Sequence, residues 1–216
     1  MFKKVQYILT IAFSVVFTWL LHEFGHWLDG SLKCNMTMTL TTAFPTDLIY
    51  MPTEDKVVID MVGSFFTLAE AFFIFLIMKY KRLKNFYPFL IACFYMRFLA
   101  LLVSLKSPTY PFNGWKVTKY DNQLSRYYNN INCEARISNW LRIGKFTLPI
   151  LISCILFIFV CKISKQYNFS IAFNAKNTAL VIFFSSILFL IDSYFHVKVL
   201  ESTNHFSGLI YKTVFH

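Results

Sequence analysis

Charge is scarce in this sequence. Only 15% of its 216 residues are Asp, Glu, Lys or Arg, where a soluble domain carries about 25%. The deficit is concentrated in long uncharged runs, the pattern of a chain that meets lipid rather than water. Histidine is limited to five residues, too few for an iron-dependent membrane desaturase. The five cysteines, Cys34, Cys93, Cys133, Cys154 and Cys161, include no C-x-x-C pair, which excludes a zinc ribbon and a thioredoxin-type site. Three of them lie in apolar runs, where a free thiol behaves as a small hydrophobe. Acidic residues number 11 against 21 basic ones, for a formal charge of +10. The basic residues flank apolar runs, so they read as topology signals and contacts to anionic lipid head groups, not as a nucleic-acid surface. No A-x-A-like cleavage site follows the first apolar run, which is uncharged from Val5 to Leu21; it reads as a retained span rather than a signal peptide.

What the sequence does hold is 56% hydrophobic residues, including 26 Phe. Five runs are long enough to span a bilayer, at about 5–28, 57–80, 86–105, 146–163 and 178–196. Backbone groups in lipid must be satisfied within each segment, so these runs are predicted to be helices. The expectation is an all-α, multi-pass integral membrane protein with one domain over 1–216. The short basic stretch Lys79-Tyr80-Lys81-Arg82-Leu83-Lys84 argues that this end faces the cytoplasm. After the first span, Met36-Thr37-Met38-Thr39-Leu40-Thr41 alternates with period two, a strand pattern. Pro45-Thr46-Asp47 is a turn signal, and Leu48-Ile49-Tyr50-Met51 could return as a second strand of a short hairpin-like loop.

Residues 22 to 26 read His-Glu-Phe-Gly-His, in the last third of the first span. Positions i and i+4 share one helix face. Two imidazoles so placed can hold one zinc ion, and the intervening Glu23 can act as general base on a water whose pKa the zinc lowers toward neutral. Ionisable residues at the end of a membrane helix are costly and mark function by default. The bland alternative is a polar helix exit with Trp27 as interfacial anchor.

The string Leu21-His22-Glu23-Phe24-Gly25-His26-Trp27-Leu28 resembles the active-site helix of the site-2 protease family of intramembrane zinc proteases. A strand-like segment follows it. The second span carries Gly63-Ser64-Phe65-Phe66-Thr67, similar to that family's G-P-x-x-N helix start, with Ser64 in place of Pro and Thr67 in place of Asn. The resemblance implies Zn2+ on His22 and His26, Glu23 as catalytic base, and a downstream Asp as third ligand. Asp121, the sole acidic residue between Glu70 and Glu134, is the candidate. It follows Pro108, Pro111, Asn113 and Gly114, where the family has N-x-x-P-x-x-x-L-D-G. Asp60 and Asp192 are its rivals; Asp192 and His196 share an i, i+4 spacing. Glu70, in the middle of the second span, has Arg97 as its expected ion-pair partner.

The function so predicted is zinc-dependent hydrolysis of peptide bonds in a membrane protein or transmembrane peptide, at a site within or beside the lipid bilayer. Substrate would add as a strand along Met38, Thr39 and Leu40, with Thr67 hydrogen-bonding to it. Two alternatives stay open. One is a Ste24-like membrane zinc protease with Glu134 or Glu201 as third ligand. The other is a non-catalytic metal-binding regulatory protein, against which the intact Glu23 argues.

Overall fold

The computed structural model describes residues 2–33, 36–38, 43–45, 53–106, 133–188 and 190–191. Helix α1 (Phe2–Ser31) is followed by strands β1 (Met36–Met38) and β2 (Ala43–Pro45). Helix α2 (Thr53–Lys81) leads through a 3-10 turn to α3 (Tyr87–Lys106). A short helix, α4 (Cys133–Trp140), precedes α5 (Thr147–Tyr167) and α6 (Ile171–Leu188). All but α4 are long and apolar enough to cross a membrane. At 30 residues, α1 extends about 45 Å, more than a hydrocarbon core of about 30 Å.

Two stripes explain how α1 and α2 meet. On α1, Ile11, Val15, Thr18, His22 and His26 recur every three or four residues and are buried. On α2, Asp60, Ser64, Thr67, Ala71, Ile74 and Met78 do the same. Each stripe puts one face toward its neighbours. The seam is apolar where Ile11 and Val15 lie with Ala71, Ile74 and Met78 in one core cluster. It is polar where the helices carry His22, His26, Asp60, Ser64 and Thr67. The opposite faces are apolar and open: Leu9, Phe13, Phe65, Phe73, Phe157 and Phe183 are all more than half exposed. Polar groups inside and phenylalanines outside is the arrangement that lipid favours.

Glycine sets the spacing of the seam. A Cβ on Gly25 would stand 2.9 Å from Gly63 Cα and 3.0 Å from Val62 O, and a Cβ on Gly63 would collide with the His26 ring. Small residues of this kind let membrane helices approach at backbone distance. Helix α3 packs on α1 and α2, α5 closes against α2 and α3, and α4 lies on α2 and α5.

The last helix begins earlier than its hydropathy suggests, at Ile171 rather than near 178. Ser170 Oγ accepts the Phe173 N–H at 3.1 Å, a helix N-cap. The polar residues of its first turns are satisfied: the Tyr87 and Tyr7 hydroxyls donate to Asn174 and Asn177 respectively. Residues 192–196 lie outside the described segments.

The loop after α1 forms an antiparallel ladder, Met36↔Pro45, Thr37↔Phe44 and Met38↔Ala43. Each strand has three residues. The return strand is thus Ala43–Pro45, and Pro45, read from the sequence as a turn residue, is its last residue, where a missing N–H is tolerated. Thr39, Leu40 and 48–51 lie outside the described residues. The hairpin is tied to α1, since Trp27 Nε1 donates to Met36 O at 3.2 Å.

Candidate metal centre

His22 and His26 are buried on one face of α1, one turn apart. His22 Nδ1 lies 2.8 Å from Gly63 O and 3.0 Å from Thr67 Oγ1. His26 Nδ1 lies 2.7 Å from Ile59 O. A carbonyl oxygen only accepts, so each Nδ1 carries its ring's proton and donates. Each Nε2 is left with a lone pair. These two nitrogens stand 3.0 Å apart. Two lone pairs facing at that distance repel unless a cation lies between them. Backbone carbonyls that hold the far side of the ring are the usual second support of a metal-ligating histidine.

The third donor is Cys133, the first residue of α4. Its Sγ lies 3.4 Å from His26 Nε2, and His22, His26 and Cys133 form a group that could hold a metal ion. Ligands at zinc bond lengths in a tetrahedral arrangement stand about 3.3 Å apart for two nitrogens and about 3.5 Å for nitrogen and sulfur. The observed separations, 3.0 Å and 3.4 Å, fit that donor set. In the metal-free chain burial pushes the Cys133 thiol well up, and Asp60 adds to the effect. A coordinated cation removes that proton outright.

Two arginines flank the donors in different ways. Arg136 grips Asp60 with both arms of its fork, Nε to Oδ2 at 2.6 Å and Nη2 to Oδ1 at 2.5 Å, and its Nη2 also reaches Cys133 Sγ at 3.6 Å. Arg97, buried on α3, donates from Nη1 to Glu134 Oε1 at 2.7 Å. Its Nη2 lies 3.3 Å from His22 Nε2. Burial alone raises the Glu134 carboxyl, but the Arg97 charge and hydrogen bond, together with weaker hydrogen bonds, leave it below its ordinary value. The Glu23, Asp60 and Glu134 carboxylates and a Cys133 thiolate would balance Arg97, Arg136 and a divalent cation.

Glu23 is buried beside His22, and its Oε2 accepts the Ala43 N–H of the hairpin at 2.7 Å. Thr67, expected to touch substrate, has its hydroxyl 3.0 Å from His22 Nδ1. Met38 pairs with Ala43 across the hairpin. Asp60 is held by Arg136, so its carboxylate is committed. Glu134, which a Ste24-like site would need as a ligand, is held by Arg97. The expected Glu70–Arg97 pair does not form: Glu70 Oε1 accepts from Thr18 Oγ1 at 2.8 Å, because Arg97 has the nearer, fully buried Glu134. Asp121, Asp192, His196 and Glu201 lie outside the described residues.

Cys133, which could serve as third donor, is not singled out by the sequence, where the resemblance points to a carboxylate. The available signal was two adjacent metal-ligating residue types, Cys133-Glu134, after a long stretch almost without acidic side chains. No protein-family model, curated protein or solved structure matches the chain. The functional reading therefore rests on the residues themselves.

Proposed function

We propose that this protein is a zinc-dependent intramembrane endopeptidase that hydrolyses peptide bonds of membrane-associated substrates. The observation that carries the reading is the convergence of His22 Nε2, His26 Nε2 and Cys133 Sγ next to a buried Glu23. Three protein ligands with one open position is the pattern of catalytic zinc, which draws them from histidine, cysteine and carboxylate side chains. Among the described residues Cys133 takes the place of third ligand in this reading; Asp121 lies outside them. Zinc held there supplies Lewis-acid polarisation of a carbonyl and a lowered pKa for water.

The chain's own residues supply the rest. Glu23 takes a proton from water as its oxygen bonds to the scissile carbonyl carbon and the carbonyl π pair moves onto oxygen. When that pair returns, the C–N bond breaks and Glu23 delivers the proton to the leaving amine. His22 lies about 14 Å inside the end of α1, counted to Ser31. That depth favours a substrate reached from within or beside the bilayer. The hairpin contributes backbone groups against which an extended segment can be held, and the Ala43 amide on Glu23 must yield for the base to work.

The test is metal content and cleavage together. Purified protein should carry about one zinc per chain. His22→Ala should lose it. Glu23→Gln should keep it and stop cleaving a transmembrane peptide. Full zinc in the His22→Ala protein would sink the reading.

A further inference from the structure

We infer that Arg97 is a catalytic residue of this site: its guanidinium binds the oxygen that becomes negative when the scissile carbonyl is attacked. This deepens the peptidase reading and rests on it.

The contrast between the two site arginines carries the inference. Arg136 spends two arms of its fork on one carboxylate, Asp60, and its Nη2 also reaches Cys133 Sγ at 3.6 Å, so its donors are engaged. Arg97 is more deeply buried, at 4% exposed against a 16% exposed Arg136 side chain. Yet it gives Glu134 a single arm, Nη1. Its Nε is buried with no hydrogen-bond partner among the described residues. Its Nη2 faces His22 Nε2, whose lone pair belongs to the metal in a loaded site. A cation kept in a membrane helix with donors to spare, aimed at a metal centre, has an anionic oxygen as its complement.

The position fits. Nη2 is 3.3 Å from His22 Nε2, and a zinc ligand nitrogen stands about 2.0–2.1 Å from the ion. The guanidinium therefore lies within about 5.4 Å of the metal position, a gap that one oxygen spans. With a neutral carbonyl there, cation and guanidinium repel each other. When the carbonyl π pair moves onto oxygen, the negative charge forms between them. The interaction is thus stronger in the transition state than in the ground state, which is the condition for accelerating the reaction. Lysine would not replace it, since a point charge on a flexible stem lacks the fixed fork.

The test uses the zinc-loaded full chain in bilayer nanodiscs. It compares wild type with Arg97→Lys and with the paired variant Arg97→Gln/Glu134→Gln, which removes both buried charges if the lysine protein fails to fold. Three quantities are read: zinc per chain, kcat and KM for a transmembrane peptide, and affinity for a phosphinic peptide, whose tetrahedral anion imitates the attacked carbonyl. The expected result is retained zinc and KM within about threefold, with kcat and phosphinic-peptide affinity each lower by about 100-fold. Unchanged kcat and phosphinic-peptide affinity in a folded, zinc-loaded variant overturn the inference while leaving the peptidase reading intact. Phosphinic-peptide binding that depends on Arg97, in a wild-type protein that cleaves nothing, overturns the peptidase reading but supports the anion site. Neither binding nor cleavage by zinc-loaded wild type overturns both.

Discussion

His22 Nε2 and His26 Nε2 face each other at 3.0 Å while both Nδ1 atoms are committed to backbone carbonyls of α2. Neither ring can flip without losing its carbonyl, so both Nε2 lone pairs stay turned toward one another, where they could share a cation. With Cys133 Sγ at 3.4 Å from His26 Nε2, the ligand question has a direct answer. Cys133→Ala should abolish stoichiometric zinc binding, and Cys133→Ser should weaken it by at least about 100-fold because a hydroxyl is a poor substitute for thiolate. Asp121→Ala should leave zinc content unchanged. Metal analysis of the purified variants decides: zinc lost from Asp121→Ala and kept by Cys133→Ala would restore the carboxylate ligand.

The α1–α2 crossing is a second exposed prediction. A Cβ on Gly63 enters the His26 ring, which is itself tethered to Ile59 O and cannot swing away. Gly63→Ala should cost about 1–3 kcal/mol in overpacking and lower zinc affinity by at least about 10-fold. Gly30→Ala is the matched control. The three atoms nearest its Cβ all belong to the Met36 side chain, from 2.9 Å, and a flexible thioether can move. Zinc titration of the two proteins should separate them. Equal affinities would mean that Gly63 does not set the ligand geometry.

Much of this arrangement was legible in the sequence. Hydropathy runs define helices because lipid leaves the backbone no other partner, and His22, Glu23 and His26 follow from spacing on one helix. What was not legible depends on contacts between elements distant in sequence. Arg97 reads from the sequence as the partner of Glu70, and packing gives it Glu134. Cys133 comes within reach of the two histidines because α4 lies on α2, a placement that no local pattern encodes. The start of α6 was misjudged for a related reason. Asn174 and Asn177 look like loop residues until Tyr87 and Tyr7 satisfy them.

The hairpin holds Glu23. Glu23 Oε2 accepts the Ala43 N–H at 2.7 Å, a charge-assisted bond stronger than an ordinary backbone one. Glu23→Ala removes the acceptor and Glu23→Gln keeps a weaker, neutral one. Loss of such a bond is worth about 1.5–3 kcal/mol. Amide exchange at Ala43 should therefore speed up by at least about 10-fold in Glu23→Ala and by less in Glu23→Gln. Hydrogen exchange resolved to that residue reads it directly. An Ala43 amide equally protected in all three proteins would show that the bond does not hold the hairpin down.

Asp60 and Arg136 separate stability from metal affinity. Their two-armed pair joins α2 to α4 and is largely buried. Removing one partner leaves the other charge uncompensated, so Asp60→Ala or Arg136→Ala alone should destabilise the protein by about 3 kcal/mol. Replacing both with leucine removes the desolvation cost along with the pair and should recover most of that loss. Zinc affinity should not recover with it. Arg136 Nη2 also lies 3.6 Å from Cys133 Sγ, so the double variant loses a cation that favours the thiolate. Unfolding in mild detergent and zinc titration, run on the same three proteins, distinguish the two roles. If the leucine pair restores stability and zinc affinity together, Arg136 acts only as a clamp between helices and does nothing for the sulfur.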